Sequence, residues 1–245
     1  MSNVLLPPSI HFFLDFDGTI TTEDVVDRIL DRFADERWKA VEAEWVSGKI
    51  GSRTCLERQA GFLTGAPEAI REELKKINID PGFVSFLRTA ERLGVPVAIV
   101  SDGFNFFIEE ILKESLKDIP HLLKAVPIYS NSLVFEEGKW KPSFPHDVMC
   151  HHGCANCKPV IMKKLSARSD TIVMVGDGLS DRYAAKKANL TFAKGKLIDV
   201  CRENHYPHRR FSTFHDVEKW LESTWEKSVN GARKPRWYEF WKGKK

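Results

Sequence analysis

Asp15-Phe16-Asp17-Gly18-Thr19 directly follows the short apolar run Ile10-His11-Phe12-Phe13-Leu14 and directly precedes a polar turn. The run predicts a buried strand. Residues two apart in an extended chain point the same way, so Asp15 and Asp17 face one spot at the strand's carboxyl end while Phe16 turns into the core. Gly18 lets the backbone turn sharply. Open α/β sheets place their ligands at that end of the strands. Two carboxylates held there repel unless a cation or a shared proton intervenes. A hard divalent ion such as magnesium, which takes oxygen ligands, suits them.

Working outward, the next block is helical. Val25, Val26, Ile29, Leu30 and Phe33 recur at helical spacing, with Thr21 and Asp24 spaced as a capping box. Three more helices follow from Trp38, Val41 and Trp45, from Leu56, Gln59, Ala60 and Leu63, and from Ile70, Leu74 and Ile77 after Pro67. Residues 21–80 are thus expected to pack as a small helical bundle. An alternating pattern then sets in. Helices are expected over 82–93, Phe104–Leu116, Lys158–Leu165, Leu179–Ala188, Lys196–Arg202 and Phe214–Trp225. Strands are expected at Val95–Val100, Thr171–Val175 and Leu190–Ala193, and a hairpin over 126–140 turns at Glu136-Glu137-Gly138. Strands alternating with helices predict an α/β fold, its parallel sheet covered by helices on both faces. The core then comprises residues 9–20 and 81–223, with a hairpin insertion at about 121–150, a helical insertion at 21–80 and a tail at 224–245.

Composition narrows the partners. The 245 residues carry a formal charge of +3, and apolar residues make up 42% of them, enough for a real core. The charge is uneven, because Glu226–Lys245 holds seven Lys/Arg against two Glu. The body therefore has no basic surface of the kind that binds nucleic acid. No run approaches membrane-span length. Residues 1–8 lack the basic and apolar segments of a secretory signal. Five cysteines, three of them crowded into Cys150–Cys157, do not form a disulfide framework, and a reducing cytoplasm is the expected compartment. Oligomeric state stays open.

Three further segments place polar groups at strand ends or helix starts. Ser101-Asp102-Gly103 follows a strand, where a hydroxyl and backbone N–H groups can hold phosphate oxygens. Lys158 opens a helix and supplies a point charge for a phosphate. Gly176-Asp177-Gly178-Leu179-Ser180-Asp181 sets Asp177 at a strand end beside Asp15, with Asp181 one helical turn on as support. Ser101 alone reads as a helix cap and Lys158 alone as a surface lysine; their order along the chain gives them meaning. Together they make a phosphotransfer site. Asp15 is the nucleophile, ionised without help from a base. Asp17 is the acid and base, protonating the leaving alkoxide and then activating water. Thr19, Ser101, Asp102, Gly103 and Lys158 are expected on the phosphate, with Gly18 and Asp181 in support, and Asp15, Asp17 and Asp177 on the metal.

Cys150-His151-His152-Gly153-Cys154-Ala155-Asn156-Cys157 stands apart from this scheme. Cys150, Cys154 and Cys157 with His146, His151 or His152 meet the requirements of a zinc site. Cys154 and Cys157 also fit a redox pair before a helix start. Packed, unmetallated thiols in a loop that aims Lys158 are the third reading. Lys234–Lys245, with Trp237, Tyr238, Phe240 and Trp241, reads either as a tail that docks on anionic lipid or RNA or as one whose aromatics pack on the body and whose lysines are solvated.

The order of the four segments resembles the haloacid dehalogenase superfamily of phosphatases, over about Ile10–Leu221. The resemblance implies a Rossmann-like core and a helical (C1-type) cap at 21–80 that closes over small phosphomonoesters. It also implies an aspartyl-phosphate on Asp15 and magnesium held by Asp15, Asp177 and the Asp17 carbonyl. Three branches are similar. In phosphoserine phosphatases a cap Glu and a cap Arg hold the amino acid; the aligned positions here are Asp24 and Gln59, with Arg58 adjacent. The methionine-salvage phosphatases, which act on 2-hydroxy-3-keto-5-methylthiopentenyl-1-phosphate, match most closely. They share Asp15–Thr21, Ile128-Tyr129-Ser130-Asn131, Pro145-His146 and Cys154-Ala155-Asn156-Cys157-Lys158-Pro159. A cap rich in Trp38, Trp45, Phe62 and Leu63 suits an apolar thioether. The phosphoethanolamine/phosphocholine phosphatases resemble Ser101–Ile108, where Asp102 suits a cationic head. A non-catalytic binding module on the same fold is the reading from another class.

Overall fold

The computed structural model describes residues 9–146, 150–168 and 170–231, with side chains to Glu226. Strand β1 (Ile10–Leu14) is buried along its whole length. Helices α1 (Val25–Phe33), α2 (Trp38–Val46), α3 (Ser52–Ala60) and α4 (Pro67–Leu74) follow. Next come α5 (Phe83–Leu93), β2 (Val97–Phe104), α6 (Asn105–Ser115), α7 (Pro120–Ala125) and the hairpin of β3 (Ile128–Glu136) and β4 (Lys139–Ser143). The chain continues through α8 (Lys158–Leu165), β5 (Thr171–Gly176), a 3₁₀ turn (Leu179–Asp181), α9 (Arg182–Ala185), β6 (Leu190–Ala193), α10 (Leu197–Glu203), β7 (His208–Arg210) and α11 (Phe214–Gly231).

The strands form one sheet in the order β4-β3-β2-β1-β5-β6-β7. Only β3 and β4 pair antiparallel; the other neighbours are parallel. Burial on both faces explains why β1 reads as a continuous apolar run. Phe12 and Leu14 pack with Phe83, Phe86 and Phe214 of α5 and α11 on one face. Phe13 points the other way, into a cluster with Ile161, Met162, Met174 and Ala184. Leu14 registers with Val175 of β5 and Ile99 of β2, so the ends of three parallel strands open at one edge.

Several expectations shift. The hairpin forms, but β3 pairs in parallel with β2, so it extends the sheet instead of hanging from it. Strand β2 runs on through Ser101-Asp102-Gly103 to Phe104, with a bulge after Val100, so these residues lie in the strand and not in a loop before a helix. Thr21 caps nothing: Asp24 is the N-cap of α1 and accepts from Asp27 N–H at 2.9 Å, while the Thr21 hydroxyl donates to the Glu23 carbonyl at 2.7 Å. The helix expected over 179–188 breaks into the 3₁₀ turn and short α9. Short α7 and β7 lacked any strong periodicity. The first residues of the expected tail continue α11, and Lys234–Lys245 lie outside the described residues. Among the described residues, no helix is long and apolar enough to cross a membrane.

The chain leaves the sheet for α1–α4 and returns at a narrow neck. Thr22 N–H donates to the Asn78 carbonyl at 3.0 Å, and Asp80 N–H donates to the Ile20 carbonyl at 2.7 Å. The four helices therefore stand over the carboxyl edge on two closely paired connections.

Candidate active site

At that edge a cleft of about 120 Å³ lies between the strand ends and the helical segment. Asp15, Asp17, Asp102, Gly103, Asp177, Gly178, Leu179 and Ser180 floor it, and Asp24, Val26, Asp27, Glu42, Trp45, Ser52, Cys55, Leu56 and Gln59 roof it. Among the described residues no Lys or Arg lines it.

The carboxylates come together as the motif spacing predicts. One oxygen each of Asp15, Asp177 and Asp181 lies within 4.8 Å of the others. These are hard donors, and a magnesium ion shared by Asp15 and Asp177 fits them. The backbone makes room: Gly18 has φ +65°, and a Cβ there would stand 2.6 Å from Asp177 Oδ2. Thr19 Oγ1 donates to Asp177 Oδ1 at 3.0 Å and holds that carboxylate in place. Thr19 is fully buried and is not among the residues that line the cleft; its hydroxyl supports Asp177.

Lys158 and Ser101 are also behind the floor. Lys158 is buried, its Nζ 2.8 Å from Asp15 Oδ1 and 2.6 Å from Asp181 Oδ1. Burial alone would lower the lysine's pKa, but Asp15, Asp181 and Asp102 outweigh it and hold the ammonium above its usual range. Asp181 Oδ2 accepts from Asp177 N–H at 3.1 Å and Gly178 N–H at 3.3 Å, which fixes the second strand-end turn. Ser101 Oγ donates to Asp17 Oδ2 at 3.2 Å and accepts from Gly103 N–H at 2.8 Å. A Cβ on Gly103 would stand 2.5 Å from Asp17 Oδ2, so this approach needs glycine.

Burial raises the floor's carboxyl groups. Asp15 is pushed well up by burial and then by Asp181, against the pull of Lys158. Asp17 rises to about 8 through burial and Asp24, opposed by Val25 N–H and the Ser101 hydroxyl. Asp177 rises to about 6 through burial and Asp181, opposed by the Thr19 hydroxyl. Asp17 Oδ1 accepts from Val25 N–H at 3.1 Å, so the first turn of α1 grips this side chain directly.

Asp24 and Gln59 line the roof as expected, but Arg58 does not. It is exposed and pairs with Glu44 at 3.0 Å on the outer surface. Gln59 is buried and donates to Glu42 Oε2 at 3.0 Å. Of the aromatic and apolar residues expected to line the roof, Trp45 reaches the cleft, whereas Trp38 and Leu63 belong to the core and Phe62 packs against it. Sequence reading passed over Asp27, Glu42 and Ser52, which sit on helix faces with no motif. Ser52 Oγ donates to Asp102 Oδ2 at 2.7 Å and bridges roof to floor. Asn131 and Asn156 were missed as supports. Asn131 Nδ2 donates to the Asp102 carbonyl at 2.5 Å, and Asn156 Nδ2 donates to the Ser101 carbonyl at 2.8 Å. Asn156 had a signal, its place in the run before Lys158.

The family model of the haloacid dehalogenase-like hydrolases matches residues 12–186. The 2-hydroxy-3-keto-5-methylthiopentenyl-1-phosphate phosphatase of Exiguobacterium sp. is 31% identical over 217 residues, covering 87% of this chain and 97% of that protein. Its namesake from Bacillus pumilus is 32% identical over 208 residues, 83% of this chain and 87% of that one. The bifunctional enzyme MtnB/MtnX of Bacillus licheniformis is 35% identical over 86% of this chain, which spans 49% of that longer protein. Among solved structures, a phospho-aspartyl intermediate analogue of phosphoserine phosphatase superposes with a TM-score of 0.66 at 21% identity, covering 86% of this chain and 98% of that one. A haloacid dehalogenase family hydrolase of Salmonella enterica serovar Typhi gives 0.64 at 20% identity, over 86% and 70%. These two likenesses show the fold.

Proposed function

The chain belongs to the haloacid dehalogenase-like hydrolases, and on that premise we propose that it is a magnesium-dependent phosphomonoesterase acting through an aspartyl-phosphate. The observation that carries this is the convergence of Asp15, Asp17 and Asp177 at one strand edge, with Lys158 buried 2.8 Å from Asp15. Asp15 attacks phosphorus, and the ester oxygen leaves. Asp17, protonated up to about pH 8, gives its proton to that oxygen. It then takes a proton from the water that cleaves the aspartyl-phosphate, returning Asp15 and inorganic phosphate. Lys158 offsets the negative charge gathered on Asp15 and the phosphoryl oxygens. Asp15, Asp177 and the Asp17 carbonyl would hold magnesium, which when bound neutralises charge on the phosphoryl group.

Helices α1–α4 serve as the cap. The Val25 N–H to Asp17 bond ties cap position to the acid, so closure and proton transfer are coupled. The substrate best supported is 2-hydroxy-3-keto-5-methylthiopentenyl-1-phosphate, from the relatives of that name and from Trp45, Val26, Cys55 and Leu56 in the roof. A cytoplasmic setting agrees with five free thiols. A second reading rests on Asp24, Asp27, Glu42 and Asp102. With no cation among the described lining residues, these carboxylates favour a phosphoester with a cationic head, such as phosphoethanolamine or phosphocholine. Phosphoserine loses support, because Arg58 faces away.

The test is phosphate release from a panel holding these esters and an aryl phosphate, with and without magnesium. Magnesium-dependent preference for the thioether ester supports the first reading, and preference for a cationic ester supports the second. No release from any ester rejects the catalytic reading.

A further inference from the structure

One cluster of reactive side chains lies outside the cleft, in the loop from β4 to α8. Cys150 Sγ, Cys154 Sγ and a ring nitrogen of His152 lie within 4.8 Å of one another. Cys150 Sγ stands 3.7 Å from His152 Nδ1. Cys157 falls outside that group. We propose that Cys150, His152 and Cys154 bind one zinc ion.

Zinc takes four nitrogen and sulfur ligands in a tetrahedron, with Zn–S about 2.3 Å and Zn–N about 2.0–2.1 Å. Those lengths set the sulfur–nitrogen edge at about 3.6 Å, and the Cys150–His152 separation of 3.7 Å matches it. The donors are soft, which selects zinc and rejects magnesium, the reverse of the preference of the Asp15–Asp177 pair. Binding displaces the thiol protons, so affinity falls in acid.

The position of the loop gives the ion a structural task. On one side the loop meets the start of α3 in the cap. Arg53 N–H donates to the Gly153 carbonyl at 3.1 Å, and Ala155 N–H donates to Ser52 Oγ at 2.9 Å. The backbones of Gly51 and Gly153 touch so closely that a Cβ on Gly51 would overlap the Gly153 carbonyl. On the other side Cys157 is the N-cap of α8, whose first residue is Lys158. His151, His152 and Gly153 are exposed, with the His152 ring against Tyr183 at 3.9 Å between centroids, while Cys154 and Ala155 are buried behind them. The zinc clip fixes the turn and with it the cap contact at Ser52 and the entry of Lys158.

The test uses the full-length protein, reduced and then titrated with zinc(II) or cobalt(II). One zinc per chain is expected by mass spectrometry, with an X-ray absorption edge fitted by mixed sulfur and nitrogen neighbours. Cobalt is expected to give thiolate charge-transfer absorption. Cys150→Ser and Cys154→Ser each abolish that absorption, whereas Cys201→Ser, buried in a separate cluster, retains it. His152→Ala removes an exposed side chain, should fold normally, and weakens zinc binding by about tenfold or more. A reduced wild-type protein that takes up no zinc overturns the assignment. So does bound zinc with only oxygen neighbours, or a cobalt spectrum unchanged in the Cys150 and Cys154 variants.

Discussion

Lys158 Nζ and Asp15 Oδ1 stand 2.8 Å apart, with 1% and 6% of their side chains exposed. The proposed nucleophile is thus neutralised from below, while its other face opens to the cleft. Asp181 shares the same ammonium at 2.6 Å, so the lysine keeps one partner if the other is lost. Asp15→Asn is therefore expected to fold, with phosphate release reduced by about 10⁴-fold or more. Retained turnover in this variant would reject Asp15 as the nucleophile.

Loss of the lysine is a different matter. Lys158→Met leaves Asp15 and Asp181 buried and facing each other without a cation. Breaking a buried pair in this way costs about 3–5 kcal/mol. Chemical denaturation should show a loss of that order, along with loss of activity; an unchanged midpoint would mean that the lysine is not needed to balance the two carboxylates.

Metal-free protein should lose stability as pH rises. Burial and Asp24 push Asp17 up to about 8, and burial, Asp24 and Glu42 push Asp27 up to about 7. Unfolded carboxyls titrate near about 4. The fold therefore keeps protons that the unfolded chain has already released. That contribution is complete below about pH 4, shrinks as pH rises above it, and is gone once pH passes the folded values of about 7 and 8. Calorimetry in a chelator should show Tm falling between about pH 4 and pH 8 and levelling above, by about 2–4 °C per kcal/mol lost. Magnesium should reverse the fall, and Asp17→Asn should flatten it.

Gly18→Ala tests the turn after the nucleophile. Its φ of +65° strains any residue with a Cβ, and that Cβ would press on Asp177 Oδ2 at 2.6 Å. Magnesium affinity, measured by calorimetric titration, should fall by about tenfold or more as Asp177 is displaced. Unaltered affinity would show that Asp177 moves without cost.

Arg58→Ala should leave kcat/KM within about twofold, because an exposed pair such as that with Glu44 contributes little. Gln59→Ala should raise KM instead, since Gln59 holds Glu42 at the cleft wall. The opposite pattern in steady-state kinetics would place Arg58 in the cleft.

The α/β alternation, the strand that ends in Asp15 and Asp17, and the segments carrying Ser101, Lys158 and Asp177 were legible in the amino-acid order alone. Each of these is a local matter. Period-two alternation sets which way two aspartates point, and apolar runs mark strands buried on both faces. How residues distant in the chain meet depends on the packed fold. It turned Ser101 onto Asp17 and Thr19 onto Asp177, slid Lys158 beneath Asp15, and made Asp181 its second partner. It carried β3 into the sheet and sent Arg58 outward while its neighbour Gln59 turned inward. Propensity cannot reach these contacts, because a side chain's partner is set by the packing of elements against each other and not by its neighbours along the chain.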